Sequence, residues 1–131
     1  MADATAVRIS DVEGAYGGAL KRVRAALGVT SFGMQIVDLP PNSGDAYPRH
    51  AHDDQEEVFL ALRGSGEIVT GDETHRLDAE TVVRVGPGVP RQIRSGPDGI
   101  RVLALGGKLD TSYQPGSWTE LGGPDPTPTA V

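Results

Sequence analysis

The chain has 131 residues, no cysteine and a formal net charge of −6. That length suits one domain, and the lack of thiols excludes disulfides, thiolate metal sites and a cysteine nucleophile. The acidic balance argues against a nucleic-acid partner, whose phosphates would be repelled unless a basic face were segregated.

Met1 to Val7 holds neither a basic region nor a long apolar run, so no secretory leader is expected there. No stretch approaches the roughly 20 apolar residues that span a membrane. A cytoplasmic protein without a membrane partner is the expectation. The basic cluster Lys21-Arg22-Val23-Arg24 reads as a solvated face. It lies within Ala19 to Leu27, which suits a short helix or a strand, with Gly28 as a helix stop.

Beyond it, 18 glycines and 10 prolines punctuate the chain at short intervals, the pattern of many short strands and tight turns. Predicted strands are Phe32 to Leu39, Ala46 to His52, Glu57 to Leu62, Thr81 to Val85, Val89 to Arg94 and Ile100 to Leu105. Glu67 to Thr70 and Glu73 to Leu77 flank Gly71-Asp72 as a hairpin. Turns are expected at Pro40 to Gly44, Arg63 to Gly66, Gly86 to Gly88 and Ser95 to Gly99. Trp118 is expected to anchor the last ordered segment, and residues 123–131, rich in proline, read as a disordered tail. The fold class is therefore all-β, a single jelly-roll barrel of antiparallel strands. Residues 31–107 would form the barrel, 1–30 a strand or short-helix segment packed on it, and 108–122 a C-terminal segment.

His50 and His52 stand out, since only three histidines occur in the chain. Pro48 disfavours a helix, and in an extended segment residues i and i+2 face the same way. Glu57 opens the following strand and can reach the pair from across the sheet. Two imidazoles and one carboxylate form a facial set suited to Fe(II), Mn(II), Ni(II) or Zn(II). A hydrogen-bonded histidine pair in a polar barrel mouth would need no metal. Gln55 shares parity with Glu57 and reads as a rim residue or weak ligand. Phe59 and Met34 read as pocket wall, and Tyr47, of opposite parity to His50, as facing away. His75 reads as an exposed strand residue, and Arg84 and Arg94 carry no assigned role.

Gly44, five residues, His50-Ala51-His52, four residues, Glu57, six residues, then Gly64 is similar to the first motif of the cupin superfamily. Leu77 to Arg91 resembles the second motif, with departures: Glu80 where glycine is usual, Gly86 where proline is usual, and Arg91 where the family places a fourth metal ligand, a histidine. The resemblance covers about Phe32 to Leu105. It implies a conical barrel with a pocket at one end, often dimeric, and His50, His52 and Glu57 as metal ligands.

Arg91 opens two readings, because a guanidinium stays protonated and does not ligate. In one, three ligands hold a divalent metal while Arg91, with Gln55 and Phe59, contacts an anionic small molecule. The resemblance then implies a metal-dependent enzyme: a dioxygenase, isomerase, epimerase, cyclase or decarboxylase. In the other, Arg91 replaces the fourth ligand and pairs with Glu57 or an anionic ligand, leaving a metal-free binding or sensing module. No phosphate loop, G-x-S-x-G or H-E-x-x-H points to other chemistry.

Overall fold

The computed structural model describes residues 2–110 and 113–125. Its regular elements are β1 (Gly14–Ala15), β2 (Leu20–Lys21), α1 (Val23–Leu27), β3 (Gly33–Leu39), β4 (Gln55–Thr70), β5 (Glu73–Leu77), β6 (Val83–Val85) and β7 (Gln92–Lys108), with 3-10 turns at Ile9–Asp11 and Ser117–Thr119. All strand pairs are antiparallel, in the order β1-β2-β3-β7-β4-β5, with β6 also on β4. The path is open, and it wraps in the manner of a jelly roll. The ambiguous segment 19–27 resolves into both alternatives: β2 pairs with β3, and α1 follows, ending at Gly28 in the left-handed region.

β4 and β7 set the architecture. They pair along nearly their whole lengths, Gln55↔Lys108 at one end and Val69↔Gln92 at the other. Two expected turns, Arg63 to Gly66 and Ser95 to Gly99, lie inside these strands instead. Register shifts fall between Ala61 and Arg63 and between Gly64 and Gly66. Gly64 and Gly99 both take positive φ. A Cβ on Gly64 would collide with the Gly99 carbonyl, and one on Gly66 with the Arg94 carbonyl. The glycines thus mark bulges where two strands bend together rather than chain reversals. On one side of the bend these strands pair with β3 and β6, and on the other with β5.

Inward-facing side chains alternate along the strands. Val37, Phe59, Ala61, Ile68, Ile93, Val102 and Ala104 meet in one core with Leu77, Val83 and Val85. Full burial of each large apolar side chain contributes about 1.5–3 kcal/mol. On the outer face, Arg101 donates two hydrogen bonds to Asp38, at 2.7 and 2.8 Å. Ala46 to His52, expected as a strand, forms only a bridge from His50 to Arg91. Pro48, without an N–H, cannot extend that ladder. The tryptophan side chain and residues 126–131 of the expected tail lie outside what is described.

Candidate functional site

His50 and Arg91 exchange both backbone hydrogen bonds, His50 N to Arg91 O at 3.0 Å and Arg91 N to His50 O at 2.8 Å. Gly88 N donates to His52 O at 2.7 Å. The stretch 50–52 is thus held extended against 88–91, which keeps both histidines on the inner face. Glu57 enters from β4, opposite Val85 of β6 and Gly106 of β7. A side chain at Gly106 would press on Gln55 Oε1, so this glycine leaves room beside Glu57.

The three side chains meet. His50 Nε2 lies 3.9 Å from Glu57 Oε1, and His52 Nε2 lies 3.8 Å from Glu57 Oε2. The imidazoles stand edge to face, centroids 5.2 Å apart. One donor atom from each residue falls within 4.8 Å of the other two, so the cluster could hold a metal ion. Neither imidazole is close enough to hydrogen bond to the carboxylate.

Arg91 is completely buried behind Glu57. Its NH1 donates to Glu57 Oε1 at 3.0 Å and its NH2 to the Gly86 carbonyl at 3.2 Å, while Nε has no partner. Desolvation lowers the guanidinium pKa, opposed by the Glu57 charge and hydrogen bond. Of the two contacts expected of Arg91, an anionic ligand or Glu57, the structure has the one to Glu57, and the guanidinium does not line the cavity.

A cavity of about 450 Å³ opens in front of the cluster. Gln55 and Phe59 line it, as do Met34, Leu20, Gln35 and Tyr16. Tyr47 lines it too, against the expectation that it faces away. The parity rule needs a continuous strand, and the chain turns at Pro48 instead. Burial, then Tyr16 and Glu57, push the Tyr47 hydroxyl pKa up to about 12, so it is a neutral group. Tyr16 meets Tyr47 edge to face at 5.9 Å. Leu20, Tyr16 and Gln35 went unassigned in the sequence; only the β2–β3 pairing brings that hairpin to the cavity.

The remaining candidates lie elsewhere. Arg84 pairs with Glu56 at 2.6 Å on the exposed side, and Arg94 with Asp45 at 2.8 Å. His75 sits 3.0 Å from Glu73 on exposed β5.

The profile of the cupin domain family matches residues 35–105, more than half of the chain. The chain belongs to the cupin family. Solved structures agree on the fold. A cupin protein from Bacteroides fragilis is 24% identical, with a TM-score of 0.71 over 92% of this chain and 96% of its own. A sugar phosphate isomerase of the cupin superfamily from Silicibacter pomeroyi is 18% identical, with a TM-score of 0.64 over 80% of this cupin and 76% of its own chain. A predicted oxalate decarboxylase from Thermotoga maritima is 18% identical, with a TM-score of 0.60 over 80% and 100%. No curated protein matches. Among the described residues, no helix of this cupin is long and apolar enough to cross a membrane.

Proposed function

We propose that this cupin binds a small molecule at a divalent-metal centre formed by His50, His52 and Glu57. The observation that carries the reading is the gap between the donors. Both Nε2 atoms converge on the carboxylate yet stop at 3.8 and 3.9 Å from it. A metal-free hydrogen-bonded cluster would close to about 2.7–3.2 Å. An ion with bonds of about 2.0–2.2 Å spans donors separated by about 3–4 Å. The donor set of two imidazoles and one carboxylate suits a first-row divalent ion with open positions.

Arg91 orients Glu57 in this site. It occupies Oε1, leaving Oε2 turned toward His52. It also weakens ion binding, because repulsion between a guanidinium and a nearby divalent ion amounts to several kcal/mol at an effective dielectric of about 20. When bound, the ion supplies a Lewis acid to a ligand oxygen or nitrogen. Titration with Mn(II), Fe(II), Ni(II) and Zn(II), followed by thermal unfolding, tests the reading. At least one ion should raise the melting temperature by mass action. His50→Ala and His52→Ala should each abolish the rise. Absence of any rise would remove the metal from the account.

The Arg91–Glu57 contact of 3.0 Å favours a second reading. Here the guanidinium neutralises Glu57 permanently, and the histidines serve a metal-free binding pocket. Arg91→His separates the two. With a three-donor centre, the added imidazole should raise ion affinity about tenfold or more. Unchanged or lower affinity would favour the metal-free pocket.

A further inference from the structure

We infer that the ligand of this cavity is a small molecule with an apolar body and a single polar head directed at His50, His52 and Glu57, not a sugar phosphate or another multiply charged anion. The inference deepens the small-molecule reading and rests on it.

The cavity walls carry it. Away from the cluster the lining is largely apolar, with Leu20, Met34, Val37, Phe59 and Ile93 among it. Among the described residues, the lining holds no lysine or arginine, and Glu57 is its one carboxylate. Four arginines of the barrel are engaged elsewhere: Arg91 behind Glu57, Arg84 with Glu56, Arg94 with Asp45 and Arg101 with Asp38. Arg49 and Lys21, although their chain neighbours line the cavity, are not in its lining. Away from the His50–His52–Glu57 centre, a phosphate or a second charge within these walls would lose its hydration without gaining a cation or a set of N–H donors, which disfavours its burial strongly.

A sugar's hydroxyls fare little better. Gln35 is spent on the fold: oriented to satisfy its amide, Nε2 donates to the Lys21 and Met34 carbonyls at 3.0 and 3.2 Å. The lining contains no serine or threonine, so Gln55 and the tyrosine hydroxyls are the polar groups left away from the cluster. An apolar body meets complementary surface along the wall, and one head group suffices for the polar end.

The test titrates 4-ethylphenol and glucose 6-phosphate separately into the full chain, once stripped by chelator and once with Ni(II) added. The methyl resonance of Met34, one of two methionines, reports occupancy of the cavity. 4-Ethylphenol should shift it in both preparations and bind at least about thirtyfold more tightly than glucose 6-phosphate. Leu20→Gln, or Met34→Glu followed by calorimetry because it removes the reporter methyl, should weaken that binding about tenfold. Equal or tighter binding of glucose 6-phosphate overturns the inference. So does indifference of 4-ethylphenol binding to the wall substitution, or no binding up to about 10 mM. Binding of 4-ethylphenol without any Ni(II) binding upholds the ligand class while removing the metal. Ni(II) binding without 4-ethylphenol binding does the reverse.

Discussion

Glu57 serves two partners through its two oxygens. Oε1 accepts from a guanidinium that has no exposure to solvent, and Oε2 faces His52. Removing one member of a buried ion pair strands the other, at a cost of about 3–5 kcal/mol. Glu57→Gln is therefore expected to destabilise the fold by about 3 kcal/mol in urea unfolding. His52→Ala, whose side chain is one-third exposed, should cost under about 1 kcal/mol. Equal costs would mean that the Arg91 pair contributes little. The pairing of His50 with His52 was legible in the sequence, because two-residue spacing in extended backbone needs no knowledge of distant contacts. Tyr47 was not legible, since Pro48 interrupts the parity linking it to His50. The place of Arg91 behind the carboxylate depends on the cross-strand bridge to His50, which no local pattern announces.

The long strands are where local reading failed most clearly. Gly64, Gly66, Gly96 and Gly99 look like turn glycines, and turn chemistry alone divides β4 and β7 into four pieces. Only pairing partners reveal continuous strands with bulges, because the glycines answer the close approach of another backbone. β3 and the β4–β5 hairpin were legible, since apolar runs and a Gly-Asp turn act within a few residues. Gly64→Ala should destabilise by at least about 2 kcal/mol, combining a left-handed φ of 71° with the clash against Gly99. Gly71→Ala, at a φ of 56° but with nothing near its Cβ, should cost only about 1 kcal/mol. Denaturant midpoints of the two variants check this, and equal losses would assign the Gly64 effect to backbone conformation alone.

Across the whole molecule, charge is arranged in pairs on the outer surfaces and left sparse within the cavity. The Asp38–Arg101 pair ties β3 to β7, and its hydrogen bonds hold the Asp38 carboxyl below its ordinary value of 3.8. Such a group stabilises the fold above the unfolded-state value and loses that contribution as pH falls through the folded one. Asp38→Asn should cost about 1–2 kcal/mol at pH 7, a difference that shrinks below about pH 4. Urea unfolding across that range checks it, and a pH-independent difference would contradict the account. The jelly-roll class was legible from turn spacing and strand composition, whereas of the cavity wall beyond the cluster only Met34, Gln55 and Phe59 were, since the rest comes from distant parts of the chain. The central claim, that His50, His52 and Glu57 form a metal centre, is tested most directly by elemental analysis of protein purified without chelator or a metal-affinity column. The account predicts a first-row divalent metal approaching one equivalent per chain, lost in the His50→Ala/His52→Ala double variant. Metal-free parent protein, or equal metal content in the double variant, would contradict it.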